Sequence, residues 1–360
     1  MMAAVNHPDR RARLSGRLKA VGLEAMLVSR LVNVRYLCGF TGSNGWLLLR
    51  GDASGTLFTD GRYEEQSRRE VPDLDRKIIG SRISEVFGEA CRAAGIDRVG
   101  FEPGGLTYRA WKDLDAAGPT LVPVEDEIER LRWEKDPDEL RLLERAQELT
   151  DQAFEGVVGK LAEGVTERRV AFELEQAMRE AGAERVGFDT IVAFGPSAAE
   201  PHHRPTERPL ERGDMVKLDF GCVADGYHSD MTRTIAFGEP AERLRDAYDV
   251  VLRAHLAGIA ALRADAVAGD VDAAARGVIE EAGLGDAFAH SLGHGVGLEI
   301  HEGPTLRRGS EDRLPAGAVV TVEPGVYLPG VGGVRIEDAV VVEDGGARPL
   351  PSTSKELLIL

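Results

Sequence analysis

Cysteine is scarce in this 360-residue sequence, which has only Cys38, Cys91 and Cys222. An odd number of widely spaced cysteines without paired-ligand spacing argues against a disulfide framework and is typical of a reducing compartment. Cys222 has small, apolar neighbours, which favour a packing role over a role as metal ligand or nucleophile.

Long apolar runs and an excess of basic residues are also missing. No segment reaches the length of about eighteen consecutive apolar residues that a membrane-spanning helix needs. The stretch from Met1 to Val28 carries arginines and lacks the unbroken apolar core of a signal peptide. We therefore expect no membrane association and a cytoplasmic location. The formal net charge of -17 argues against a nucleic-acid partner, because binding phosphates needs a basic face.

The length exceeds the usual limit for a single hydrophobic core, so about two domains are expected. Apolar runs and helical stretches alternate over residues 1–124, which predicts an α/β N-terminal domain. Apolar periodicity lapses over residues 125–136, the predicted linker. Asp136 then fits an N-cap, Pro137 the first helical position and Glu139 the closing position of a capping box. An α+β C-terminal domain is predicted over residues 137–360.

Within the C-terminal domain, two helices followed by an acidic hairpin occur twice. Helices that start near Asp136 and Thr166 precede the first hairpin, and helices around residues 242–262 and 271–282 precede the second. This repetition suggests an ancient duplication, with the active site where the two halves meet.

The first hairpin carries two aspartates. Asp219 and Asp230 lie in strand-like segments on either side of Ala224-Asp225-Gly226, which is a turn signal. A two-residue loop at Ala224-Asp225 would place the aspartates directly opposite each other, with Cβ atoms about 5 Å apart. A loop one residue later would leave them diagonal and still within reach.

The second hairpin carries two glutamates, Glu323 and Glu337, separated by a longer stretch rich in glycine. Each acid alone has another interpretation, since a strand acid often faces solvent and both glutamates could be buried against Arg335. Two close carboxylates, however, need a compensating positive charge. A divalent cation supplies that charge.

Histidines are few and clustered: five of the eight lie in two short segments, residues 202–203 and 290–301. His294 stands between two glycines that leave room for close backbone approach. Four carboxylates and one imidazole form an oxygen-rich site, better suited to Mn, Co, Fe or Zn than to Cu or an iron–sulfur cluster. The predicted metal ligands are Asp219, Asp230, His294, Glu323 and Glu337.

Five segments resemble the ligand motifs of the pita-bread metallopeptidase family, which includes methionine aminopeptidase, aminopeptidase P and prolidase. They are Leu218–Gly221, Ser229–Thr234, Gly293–Gly295, Glu323–Gly325 and Arg335–Asp338. The N-terminal region is similar to the domain shared by creatinase, prolidase and aminopeptidase P, notably in Asn33–Leu37, Phe40–Ser43 and Thr59–Tyr63. The resemblance to the proline-specific branch covers nearly the whole chain. It implies a pita-bread C-terminal domain with pseudo-twofold duplicated halves.

The resemblance also implies roles for the ligands. Asp230 and Glu337 would bridge two divalent metal ions, with Mn expected first. Asp219 would complete one ion, and His294 with Glu323 would complete the other. Glu323 would also help to position or deprotonate the attacking water.

Other side chains are implied to line the substrate site and to stabilise the tetrahedral intermediate or the departing nitrogen: His202, His290 and His301. His203 stays open as an alternative to His202. Arg335 shares a strand face with Glu337, so it is expected to orient the carboxylates. His228 has no family role and is expected at the surface.

The implied reaction is hydrolysis of the Xaa-Pro bond, in dipeptides as by a prolidase or in longer peptides as by an aminopeptidase P. Prolidases of one branch place an arginine upstream of the first metal-binding Glu to bind the substrate carboxylate. Arg308 lies at about that offset from Glu323, although a solvated loop arginine is the alternative. A dipeptide substrate is therefore preferred. A creatinase-like hydrolase or an inactive binding module would not need the full ligand set. Relatives usually form dimers, so a homodimer is expected.

Overall fold

The computed structural model describes residues 6–80 and 82–360. The chain divides into two compact units, Met1–Arg132 and Trp133–Leu360. In the part of the chain that the structure describes, none of the helices combines the length and the apolar character needed to cross a membrane.

The first unit is a six-stranded sheet with helices between its strands. The helices are α1 (His7–Ala20), α2 (Leu31–Cys38), α3 (Glu64–Glu70), α4 (Ile83–Ala94), α5 (Tyr108–Asp115) and α6 (Glu127–Trp133), which ends at the division between the units. The strands are β1 (Ala25–Val28), β2 (Gly45–Arg50), β3 (Gly55–Thr59), β4 (Asp75–Ile78), β5 (Arg98–Phe101) and β6 (Thr120–Pro123).

The strand order in this sheet is β4-β3-β2-β1-β5-β6. Strand β2 runs antiparallel to both β1 and β3, and the other neighbouring pairs are parallel. Every residue of the central strand β1 is buried, as expected for a strand covered on both faces. The mixed sheet with helical connections is the α/β arrangement predicted for the N-terminal region.

The second unit contains four long helices and the remaining strands. The helices are α7 (Pro137–Val158), α8 (Glu167–Ala181), α9 (Glu242–Ala261) and α10 (Ala268–Glu281). The strands are β7 (Arg185–Val186), β8 (Ile191–Phe194), β9 (Asp214–Phe220), β10 (Cys222–Ala224), β11 (Tyr227–His228), β12 (Met231–Phe237), β13 (Gly293–Gly295), β14 (Glu302–Leu306), β15 (Val319–Val322), β16 (Gly325–Leu328), β17 (Gly332–Arg335), β18 (Glu337–Glu343) and β19 (Gly346–Pro349).

Helix α7 begins with the predicted capping box. The Asp136 carboxylate accepts hydrogen bonds from the N–H groups of Asp138 and Glu139, both at 2.9 Å. The Glu139 carboxylate accepts one from the N–H of Asp136 at 3.1 Å. Since these bonds satisfy N–H groups that lack a partner within the helix, they fix the start of α7.

The large sheet of this unit has the order β14-β13-β15-β18-β12-β9-β8, with β19 added beside β18. One apolar cluster joins α7 and α8 to β8, β9 and β12, and another joins α9 and α10 to β15, β16, β17 and β18. Each helix pair therefore covers the hairpin that follows it, as the repeated pattern predicted. The two halves meet where β12 pairs with β18.

Candidate metal centre

The register of the first hairpin places its two aspartates diagonally. The turn is Asp225-Gly226, with φ of 49° and 84°, the positive values typical of a type I′ hairpin. Asp219 pairs with Thr232, two residues beyond Asp230. Of the two predicted loops, the structure has the one that begins one residue later.

The second hairpin places its two glutamates opposite each other. Val322 of β15 pairs with Asp338 of β18, so the next position along each strand brings Glu323 to face Glu337. The register continues unchanged where β16 pairs with β17. The longer turn therefore does not disturb the acidic pair.

One row of residues then crosses the sheet. Thr232 pairs with Asp219 on one side and with Glu337 on the other. Its hydroxyl donates a hydrogen bond to Glu337 Oε2 at 2.7 Å. Because side chains alternate along a strand, Asp230 points to the same face as Thr232. Four acids from two hairpins thus share one face of the sheet.

The five predicted metal ligands line one cavity of about 660 Å³. Ligand atoms of Asp230, His294 and Glu337 all lie within 4.8 Å of one another. His294 Nε2 is 3.6 Å from Asp230 Oδ2 and 3.4 Å from Glu323 Oε1. The Nδ1 atom of His294 lies 3.0 Å from the Gly295 carbonyl, which leaves Nε2 turned to the acids.

The cluster carries more negative charge than its neighbours neutralise. Burial, followed by nearby carboxylates, raises the pKa of Asp230 and of Glu337 well above the usual range. Burial also raises the pKa of Glu323 to about 7. These acids would hold protons unless a cation compensates them, and an oxygen-rich set with one imidazole suits divalent metal ions. The residues therefore fit a metal centre.

Arg335 is the one cation of the cavity wall that bonds directly to the cluster among the residues described. Its guanidinium donates to Asp219 Oδ2, to the Thr232 hydroxyl at 3.0 Å and to the Tyr327 hydroxyl at 2.8 Å. That Arg335 orients the carboxylates stays a prediction. Among the residues described, its one ion pair is with Asp219, so it does not replace a metal.

Three predicted histidines border the same cavity: His202, His290 and His301. His290 is held in the wall, with Nδ1 2.8 Å from the Ser291 carbonyl and Nε2 2.9 Å from the Tyr327 hydroxyl. Burial lowers the pKa of His290 to about 4, so its ring is neutral near pH 7. His202 and His301 are exposed, and neither ring is hydrogen-bonded to a residue that the structure describes.

His203 also lines the cavity, but both of its ring nitrogens contact carboxylates outside the predicted ligand set. Its Nε2 lies 2.9 Å from Glu167 and its Nδ1 lies 3.0 Å from Glu200. Glu167 is buried and also accepts the N–H of Thr206 at 2.9 Å. These contacts tie down the loop on which His202 stands.

The structure does not bring Arg308 to the metal cavity. Its guanidinium pairs with Glu280, and it lines two smaller neighbouring cavities. Arg204 lines the metal cavity instead. The exposed Arg204 side chain has no hydrogen bond or ion pair with any residue in the described ranges.

His228 is buried, so its predicted surface position is wrong. Both its N–H and its Nδ1 contact the Gly297 carbonyl, at 2.9 and 3.1 Å. His228 lies in β11, next to the hairpin turn, and it is buried because the chain near Gly297 packs over it. Cys222 is buried beside Thr150 and Ser229, which agrees with a packing role.

Sequence reasoning missed three hydroxyl-bearing residues that support the cluster: Thr232, Thr321 and Tyr327. The Thr321 hydroxyl donates to Glu323 Oε1 at 3.2 Å and accepts the N–H of His294 at 3.0 Å. Thr321 precedes Glu323 by two positions, and Thr232 follows Asp230 by two. The alternation that pointed to Arg335 beside Glu337 would also have pointed to these threonines.

Known proteins resemble the chain over nearly its whole length. A structure of an Xaa-Pro dipeptidase from Bacillus anthracis has a TM-score of 0.95 at 38% identity, covering 99% of this chain and 100% of that one. An X-Pro aminopeptidase from Thermotoga maritima has a TM-score of 0.90 at 33% identity, covering 96% and 99%. An Xaa-Pro dipeptidase from Pyrococcus furiosus is 36% identical, covering 93% of this chain and 95% of that one.

Two family profiles also match. The Creatinase/Prolidase N-terminal domain matches residues 10–133, and Metallopeptidase family M24 matches residues 141–344. With the structural similarities, these matches confirm the predicted fold, an α/β N-terminal domain followed by a pita-bread domain of duplicated halves. The chain belongs to metallopeptidase family M24 and carries the N-terminal domain of creatinases and prolidases.

Proposed function

We propose that this protein hydrolyses the Xaa-Pro bond of dipeptides in a reaction that depends on two divalent metal ions. The convergence of four carboxylates and His294 in one cavity, bordered by exposed histidines, carries the proposal. The names of the relatives from Bacillus anthracis and Pyrococcus furiosus support the dipeptide substrate. The Thermotoga maritima relative supports the alternative, an aminopeptidase acting on longer peptides.

Five residues would hold the metal ions. Asp230 and Glu337 would bridge them, Asp219 would complete one, and His294 with Glu323 would complete the other. When bound, such ions supply Lewis acidity to the peptide carbonyl and activate a water for attack. Manganese is the ion we expect first, and Co, Zn or Fe also suit this ligand set.

The remaining residues bind and orient. Thr321 and Thr232 hold the carboxylates of Glu323 and Glu337 through hydrogen bonds of 3.2 and 2.7 Å, so these side chains are oriented before substrate arrives. His202 and His301 have free ring nitrogens at the cavity surface and can bind the carbonyl oxygen as it gains charge. His290 acts as a neutral wall residue, because both its nitrogens are already bonded.

The substrate carboxylate needs a cation, and two arginines compete for that role. Arg308 is paired with Glu280 away from the metal cavity, whereas Arg204 lines the cavity with its guanidinium unpaired among described residues. Arg204→Ala is therefore expected to weaken Ala-Pro binding more than Arg308→Ala does. Both variants should hydrolyse Ala-Pro-Ala as the parent protein does, because its carboxylate lies one residue further away. Initial rates with Ala-Pro and Ala-Pro-Ala would distinguish the dipeptidase from the aminopeptidase.

Metal dependence is tested by removing the bridge. Asp230→Asn and Glu337→Gln should each abolish Ala-Pro hydrolysis and reduce bound metal, measured by elemental analysis of the purified protein. Cys222→Ala is the matched control. This buried thiol lies beside Thr150 and Ser229, so its removal should leave activity nearly intact.

Full activity after chelation would contradict the proposal and would favour a creatinase-like hydrolase. A protein without bound metal or activity would favour a binding module. A homodimer and a cytoplasmic location stay predictions.

A further inference from the structure

Lys217 of β9 is a buried amine that the chemistry described above does not use. Its side chain is fully buried, and it has no ion pair with a carboxylate in the described part of the chain. The adjacent buried positions hold Val216 and Leu218, so packing of this strand does not call for a charge. Burying an amino group is costly unless hydrogen bonds compensate it, and burial lowers the pKa of Lys217 to about 6. The partners of Lys217 therefore indicate what the residue is for.

Those partners all come from one short segment. Lys217 Nζ donates hydrogen bonds to the carbonyls of Glu200 at 2.6 Å and Ala198 at 3.2 Å, and the Pro201 carbonyl lies 3.4 Å away. The segment leads directly into His202, which lines the metal cavity.

A second contact connects Lys217 to the opposite wall. Its Nζ lies 5.2 Å from the centre of the Tyr327 ring, so the side chain packs against that aromatic face. The Tyr327 hydroxyl is bonded to His290 and to Arg335, and Arg335 reaches the Pro201 carbonyl at 3.3 Å. Lys217 thus lies behind both the His202 segment and the side chain that holds His290.

We propose that Lys217 is a positioning residue that sets the place of His202 in the metal cavity. The inference rests on the proposed function, in which His202 contacts the substrate. The His202 ring has no hydrogen bond of its own to a described residue, so its position follows from its backbone. That backbone is held by the carbonyl bonds of Lys217, together with the contact between His203 and Glu167. Lys217 does not line the metal cavity, and it bonds to none of the predicted ligands among the residues described.

The test is a double-mutant cycle between Lys217→Met and His202→Ala, measured as kcat/KM for Ala-Pro. Methionine keeps the length of the side chain and removes its donors. In the presence of His202, Lys217→Met should lower kcat/KM about tenfold, whereas in the His202→Ala background the further loss should be under about twofold. Equal losses in both backgrounds would overturn the proposal.

Lys135→Met is the control for loss of a buried lysine. Lys135 pairs with Glu302 of β14 at 2.7 Å. Any loss from this change should be of similar size with and without His202. If Lys217→Met does not fold, Lys217→Gln, which keeps an amide donor, should give a smaller loss with the same dependence on His202.

An NMR measurement, which does not depend on enzymatic activity, tests this inference separately from the proposed function. In protein with 15N-labelled histidine, Lys217→Met should shift the ring signals of His202, assigned through His202→Ala, and leave those of His7 unchanged. An inactive parent protein would refute the proposed function, yet the signals would still test Lys217. Unchanged His202 signals would overturn the positioning role.

Discussion

At the scale of single residues, the sequence singled out the acids and the histidine that line the cavity, and it did not single out many of the residues that bond to them. The types and neighbours of Asp219, Asp230 and His294 pointed to a metal site without any contact information. Alternation along a strand gave Arg335, and the same rule applied to Asp219 also selects Lys217. Alternation along a strand predicts only which side chains share a face. It does not predict that Lys217 bonds to backbone carbonyls whereas Arg335 bonds to a carboxylate.

One residue-scale prediction concerns His290. Burial lowers its pKa to about 4 from 6.5, so between these values the unfolded chain binds a proton that the folded chain does not. Stability that is present near pH 7 is therefore lost as pH falls through this window. His290→Gln should reduce the loss by on the order of 2 kcal/mol, measured by urea unfolding at pH 7 and pH 4.5 in metal-free protein. The same pH dependence in both proteins would contradict this assignment.

At the scale of elements, turn chemistry narrowed the first hairpin to two registers, and only the structure decided between them. Asp225-Gly226 adopts positive φ at both positions, which places Asp219 diagonal to Asp230. Loops were harder to predict, since long-range contacts place them. The loop of His202 is held by Glu167 and Lys217, which are distant in sequence. The spacing between Arg308 and Glu323 in the sequence could not exclude Arg308 from the metal cavity.

Strand β13 offers an element-scale prediction. A Cβ atom on Gly293 would lie 1.8 Å from the Thr321 carbonyl oxygen, so Gly293→Ala must push β13 away from β15 and move His294. We expect weaker metal binding, measured by calorimetry, and a loss of stability of about 3 kcal/mol or more.

The matched control is Gly277→Ala in α10, where nothing lies within 4 Å of the added Cβ atom. Because alanine favours a helix interior over glycine, this change should stabilise the protein by about 0.5–1 kcal/mol and leave metal affinity unchanged. Equal metal affinity in both variants would show that β13 tolerates displacement.

At the scale of the whole molecule, all five predicted metal ligands lie in the second unit and come from both of its halves. Asp219 and Asp230 belong to the first hairpin, and Glu323 and Glu337 to the second. The pairing of β12 with β18 joins them. The repeated pattern predicted two halves from sequence. That the halves meet through Thr232 and Glu337 depends on register, which the sequence alone left open.

Metal removal should therefore loosen one sheet selectively. A ligand that binds only the folded state adds to its stability, so chelation should speed amide hydrogen exchange in β9, β12, β15 and β18. The six-stranded sheet of the first unit carries no predicted ligand and should exchange at an unchanged rate. In Asp230→Asn, chelator should have little further effect on either sheet. Uniform acceleration across both sheets would argue against a metal centre confined to the second unit.

The row that crosses from Asp219 to Glu337 also determines when the protein can begin to cut peptides. A ribosome synthesises the chain from its amino end, so Glu337 leaves the exit tunnel after the other four ligands. Until then a growing chain lacks one of the five predicted metal ligands. Peptidase activity is therefore expected only once both halves have been synthesised and have paired.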